Sequence, residues 1–208
     1  MTKNYQPLII NAEETVCFYY HTKKEVFKIS FLTIKLPQKA TDDFMDILRK
    51  RKEALSKVAG VNIEYDEEKT REMVLENMKK LFFYATGWRD YPEQELNELI
   101  EDIIATVHMG EGFPTNKNVF WKAWMRTPLG YLVRMTIARM KYNRKENMNA
   151  LELAILSGTN PSNVTHLIKR GTISAIKDGI SSEWIIPYEE AEKYLEEKRM
   201  AFTNQTAQ

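Results

Sequence analysis

Two short apolar stretches held apart by Gly158-Thr159-Asn160-Pro161 constrain this chain more than any other feature. Glu152-Leu153-Ala154-Ile155-Leu156-Ser157 reads as a short helix. Gly158 closes it, because glycine takes the left-handed conformation that ends a helix without a Cβ clash. Asn160 then caps a second helix and Pro161 opens it, since the first-turn N–H that proline lacks has no helical partner anyway. Val164, Leu167 and Ile168 make an i, i+3, i+4 apolar face, and Gly171 stops the helix. Two short helices across so tight a turn make a helix-turn-helix, and the small Ala154 suits their close crossing. Beyond it, Ile173-Ser174-Ala175-Ile176 reads as a strand, Lys177-Asp178-Gly179 as a turn and Glu183-Trp184-Ile185-Ile186 as the returning strand of a hairpin. Pro187 begins a last helix whose Ala191, Tyr194 and Leu195 face inward.

The rest of the chain predicts an α+β fold, mostly α. Residues 6–36 are β-rich: Val16, Phe18 and Tyr20 alternate along one run, Val26 to Leu36 form a second, and Leu8-Ile9-Ile10 offers a third strand. His21 to Glu25 connects the hairpin and Pro37 ends it. Thr41 or Asp42 caps a helix reaching Val58, with Phe44, Ile47, Leu48 and Leu55 on one face. Asp66 begins another, with Met73, Val74, Met78 and Leu81 in a stripe. A third starts at Tyr91-Pro92-Glu93 and buries Leu96, Leu99, Ile100, Ile103 and Ile104. Residues 117–125 resemble a short aromatic helix, and Thr127-Pro128 opens one that runs through Leu129, Leu132, Val133, Ile137 and Met140, with Arg126, Arg134, Arg139 and Lys141 interspersed. The polar stretch 143–147 marks a boundary. The expected organisation is an N-terminal α+β domain over 1–146, β-rich over 6–36 and helical over 40–143, then the helix-turn-helix domain over 147–200 and a flexible tail over 201–208.

Hydrophobic residues make up 43% of the 208, enough for a core and too many for global disorder. A single cysteine, Cys17, excludes an internal disulfide framework and a Cys-rich zinc site. No apolar run approaches the ~20 residues that span a bilayer, and the N-terminus lacks a signal-peptide core, so the expectation is a cytoplasmic protein with no membrane partner. The net charge of +1 conceals a strong division. Residues 61–116 carry 5 basic and 13 acidic side chains, residues 117–147 carry 8 and 1, and residues 148–208 carry 6 and 8. Such asymmetry points either to separate surfaces for separate partners or to two blocks that pair with each other.

Residues 148–199 resemble the winged helix-turn-helix of the MerR/excisionase superfamily. The matching residues are Glu152, Ala154, Gly158, Val164, Leu167, Ile168, Gly171, Ile173, Ala175, Trp184, Ile186, Pro187 and Tyr194, about a quarter of the chain from first to last. The resemblance implies that the second helix enters the DNA major groove and the hairpin wing touches backbone or minor groove. Thr165 and His166 stand where relatives often carry Arg or Tyr, and Glu183 precedes the Trp where a basic residue is usual. MerR regulators place this module first, whereas about 147 residues precede it here.

The outward positions of the second helix are Ser162, Asn163, Thr165, His166, Lys169 and Arg170. An α-helix fits the major groove, where Asn can pair with adenine, Ser and Thr with bases or phosphates, and Lys or Arg with phosphate or guanine. Lys177 at the wing tip and Arg144 and Lys145 just before the module extend the basic surface, since the module's own 6 basic against 8 acidic residues are poor for binding DNA alone. The bland alternative is a merely solvated outer face. No phosphate-binding glycine loop, dinucleotide fingerprint or HExxH occurs, and His21, His108 and His166 are scattered. Cys17 beside His21, the acids of 64–76 and 93–102, and Trp121 and Trp124 beside Lys122 and Arg126 read as structural more readily than as a catalytic pair, a metal cluster or a base-stacking platform. No catalytic residue, metal or cofactor is therefore expected. The reading is a sequence-specific double-stranded DNA-binding protein, a transcriptional regulator acting as a homodimer, with dimerisation or a protein partner assigned to the N-terminal domain. The alternatives are an excisionase-like architectural or accessory factor for recombination, replication or partition of a mobile element, and a protein-interaction adaptor.

Overall fold

The computed structural model describes residues 35–108, 124–179 and 183–206. These are mostly helical, with one small three-stranded antiparallel sheet, as an α+β chain dominated by helix requires. They divide into two compact units, residues 35–140 and the residues from Lys141 onward. The strands expected over 6–34, with Cys17 and His21, lie outside the described residues, as do Trp121 and Lys122.

The first unit contains α1 (Leu36–Ala59), α2 (Glu67–Ala85), α3 (Glu93–His108) and all but the last turn of α4 (Pro128–Asn143). Helix α1 starts earlier than the sequence predicts. Pro37 stands in its first turn, where a missing N–H costs nothing, so the proline expected to end a strand opens a helix and Leu36 is helical. Thr41 is not the cap but a fully buried residue one turn inside, its hydroxyl donating to the Pro37 carbonyl at 2.8 Å. The buried stripe is Leu36, Ala40 and Met45, while Phe44, Ile47 and Leu48 are half-buried. Leu55 is exposed, against expectation. Helix α2 starts opposite Arg49, whose Nε donates to Glu67 Oε1 at 2.8 Å. The later turns of α1 therefore run beside the returning 60–66 segment, where the Ile63 N–H donates to Ser56 Oγ at 3.3 Å.

Asp66 caps α2 by accepting the Lys69 N–H at 3.0 Å. Val74, Met78, Leu81 and Ala85 follow the i, i+4, i+7 spacing of one buried face, and Met73, some 100° round the helix from Val74, is exposed rather than part of the stripe. Leu96, Ile100, Ile103 and Val107 bury the inner face of α3, with Leu99 and Ile104 half-buried at its flanks. Helix α4 is enclosed on several sides, burying Leu129, Leu132, Val133, Met135, Ala138 and Met140 together with Thr136, whose hydroxyl donates to the Leu132 carbonyl at 3.0 Å. Its first turn is tied to α1 by the Leu129 N–H, which donates to Asp43 Oδ2 at 3.1 Å. Burial outweighs that bond and holds the Asp43 carboxyl above its usual range.

The second unit contains β1 (Met148–Asn149), α5 (Ala150–Ser157), α6 (Pro161–Lys169), β2 (Ile176–Lys177), β3 (Trp184–Ile186) and α7 (Tyr188–Thr206). β3 is the central strand, antiparallel to both neighbours, with Met148 opposite Ile186, Ile176 opposite Ile185 and Lys177 opposite Trp184. Met148, Leu153, Ala154, Val164, Ile168, Ile173, Ile186, Ala191, Tyr194 and Leu195 form one core. Three details differ from the sequence reading. The first strand of the hairpin is shorter than expected, because the Thr172 and Ile173 N–H groups still donate to the Leu167 carbonyl, at 2.9 and 3.4 Å, and Ile173 turns into the core. Lys177 accordingly sits within β2 rather than at the turn. Helix α7 continues to Thr206, through residues expected in a tail.

Candidate functional site

The exposed face of α6 carries most of the candidate residues of the second unit, and the elements on either side fix its position. Asn149 caps α5 with a capping box: its side chain accepts from the Leu151 and Glu152 N–H groups at 3.0 and 2.9 Å, and Glu152 Oε2 accepts the Asn149 N–H at 2.9 Å. The other oxygen of Glu152 pairs with Lys141 Nζ at 2.6 Å, so one carboxylate joins the end of α4 to the start of α5. Leu153 and Ala154 bury the inner face of α5.

The turn into α6 is set by backbone chemistry. Gly158 has φ +63°, and the Thr159 and Gly158 N–H groups donate to the carbonyls of Ala154 and Ile155 at 2.9 and 3.3 Å. These are the paired bonds of a Schellman ending. Asn160 next caps α6, its side chain accepting the Ser162 N–H at 2.9 Å, with Pro161 in the first turn. Gly171, φ +75°, ends α6 in the same way, with the Gly171 and Thr172 N–H groups donating to the carbonyls of Ile168 and Leu167, each at 2.9 Å. Between these ends Val164 and Ile168 are buried, which fixes the rotation of the helix about its axis.

That rotation turns Ser162, Asn163, His166, Lys169 and Arg170 to solvent on one helix. Thr165 is different: it is half-buried and its hydroxyl donates to the Pro161 carbonyl at 3.0 Å, which commits its donor inside the helix. Lys169 and Arg170 form no ion pair among the described residues. The remaining basic candidates lie elsewhere in the unit. Lys177 is exposed on β2. Arg144 and Lys145 are exposed in the turn after α4, Arg144 at 3.7 Å from Glu146 and Lys145 in a left-handed conformation with its ammonium 6.0 Å from the Tyr188 ring centroid. Tyr188 also packs against Tyr142 at 5.6 Å and donates to Glu192 at 2.5 Å, a bond that holds its hydroxyl proton well above the usual range.

Sequence reasoning missed the Glu152 tie and the short β1. The spacing Asn149-x-x-Glu152 carries a capping-box signal for the first. A two-residue strand carries no periodicity at all. Among the described residues no group of three or more His, Cys, Asp or Glu side chains is placed to hold a metal ion, and no helix is long and apolar enough to cross a membrane.

No family model, no curated protein and no solved structure matches this chain. The functional reading therefore rests on the face of α6 and the elements that present it.

Proposed function

We propose that this chain is a sequence-specific double-stranded DNA-binding protein, a transcriptional regulator that reads DNA through a C-terminal winged helix-turn-helix of the MerR/excisionase type. The observation that carries the reading is the division of α6: Val164 and Ile168 anchor it, while Ser162, Asn163, His166, Lys169 and Arg170 point outward, with two cations that lack acidic partners among the described residues. A helix held this way enters a major groove by its N-terminal turn, where the first polar residues reach base edges. Ser162 and Asn163 occupy that turn, and an Asn amide can donate to N7 and accept from N6 of adenine. Lys169 and Arg170, two turns later, meet the flanking phosphates. In this reading β2 and β3 form the wing, and Arg144 and Lys145 add charge that the acidic α7 does not supply. Two copies would meet half-sites about one helical turn, roughly 34–36 Å, apart.

The test is selection of bound sequences from a random duplex pool, followed by affinity measurement on the selected site. Lys169→Ala with Arg170→Ala should weaken binding across all sequences by about tenfold or more while leaving the melting temperature unchanged. An unchanged affinity in a folded double variant would remove α6 from the interface.

A further inference from the structure

Among the described residues, the sheet of the second unit has an open edge with an apolar residue on it. The Asp178 N–H donates to the Glu183 carbonyl at 2.8 Å, in register with Ile176 opposite Ile185 and Lys177 opposite Trp184. Hydrogen-bonded and non-bonded pairs alternate along an antiparallel ladder. Pairs 178/183 and 176/185 are therefore the bonded ones, and the N–H and C=O groups of Ala175 and Lys177 point away from β3. β2 has β3 on one side alone in the strand order, and among the described residues no turn, loop or side chain bonds these outward groups. Ile176 is 69% exposed and its cross-strand neighbour Ile185 is 36% exposed, on the face opposite the buried Ile186. Open edges of this kind pair with other strands unless they are blocked.

We infer that β2 pairs edge to edge with β2 of a second copy of this chain, antiparallel about a two-fold axis through Ile176. The side chains and the backbone choose this register together. Centring on Lys177 would set two ammonium groups opposite each other, which is unfavourable. Centring on Ile176 sets Ile176 against its own copy, Ala175 against Lys177 and Ser174 against Asp178, so no like charges face each other. The same register brings the outward groups of Ala175 and Lys177 into bonded pairs, giving four hydrogen bonds. It also makes Ile176 the non-bonded pair, the kind in which side chains approach most closely. The exposed isoleucines of the two copies then form one continuous stripe across a six-stranded sheet. The edge is short, so its area falls below what a stable dimer needs and the pairing is a weak contact. It does not depend on DNA binding.

A disulfide reports such a contact directly, because Cα atoms in a non-bonded pair are about 4.5 Å apart, within reach of a disulfide. The full chain carrying Cys17→Ser and Ile176→Cys, kept without DNA under mild oxidation, should form covalent dimers about tenfold faster than the same background carrying Lys169→Cys. Adding Lys177→Pro removes an outward N–H without touching the β3 ladder and should return the rate to that of the control. Equal rates for the two cysteine variants, with circular dichroism showing both folded, would overturn the pairing. So would a fast rate that Lys177→Pro leaves unchanged. Both rates are measured without DNA, so they test the pairing alone, and the place of α6 in the proposed DNA contact is tested separately by Lys169 and Arg170.

Discussion

Asp43 and Asn163 show how differently two polar side chains are used. Asp43 accepts the Leu129 N–H from a half-buried position, and burial raises its proton affinity in the folded chain. Its folded-state pKa lies above the unfolded one, so the folded chain holds the proton longer as pH rises. Its contribution is most favourable below the carboxylate range and declines as pH passes through the folded value. Asp43→Asn keeps an acceptor for Leu129 and cannot ionise. Relative to the parent, the variant should gain melting temperature on going from about pH 3 to pH 7, and a constant difference across that range would contradict the assignment. Asn163 is exposed on the first turn of α6, where a side chain contributes little to stability, and the proposal gives it a base to read. Asn163→Ala should stay within about 0.5 kcal/mol of parental stability yet relax the selected site at one position. An identical selected sequence would remove Asn163 from base reading. Thr165 is equivalent to Asn163 in the sequence pattern, but its hydroxyl is committed to the Pro161 carbonyl, a distinction visible only once the helix is built.

The elements differ in how clearly the chain announces them. Helix α6 can be read almost residue by residue, because its cap, its proline, its apolar face and its closing glycine are all local signals. The same holds for Asp66 at the start of α2 and for the inward face of α7. The start of α1 is ambiguous in sequence because proline both ends strands and opens helices, and only packing of Leu36 and Ala40 decides between them. Leu55 departs from its expected burial for a related reason: periodicity reports an apolar face but not whether a neighbour reaches it. β1 leaves no local trace because its pairing with β3 is long-range and two residues long. Gly171 gives the sharpest element-level prediction. Its φ is +75° and a Cβ there would meet nothing within 4 Å, so any cost of Gly171→Ala is backbone strain alone. Chemical denaturation should show a loss of about 1 kcal/mol, the penalty for a left-handed alanine. A neutral substitution would mean that α6 does not end in the Schellman geometry.

Across the whole chain, charge is distributed rather than balanced. The net of +1 conceals an acidic stretch over 61–116, a basic one over 117–147 and a mildly acidic one from 148 onward. The cations of α6 are few, so the proposed DNA contact would draw on Arg144 and Lys145 as well, and salt dependence is where their number would become visible. The most direct test is the affinity of the full chain for duplex DNA as salt is raised from about 50 to 200 mM. Log affinity should fall linearly with log salt, and Lys169→Ala with Arg170→Ala should lower the slope by about 2, one for each phosphate that the variant no longer neutralises. Absence of binding at low salt, or binding indifferent to salt, would contradict the DNA-binding account.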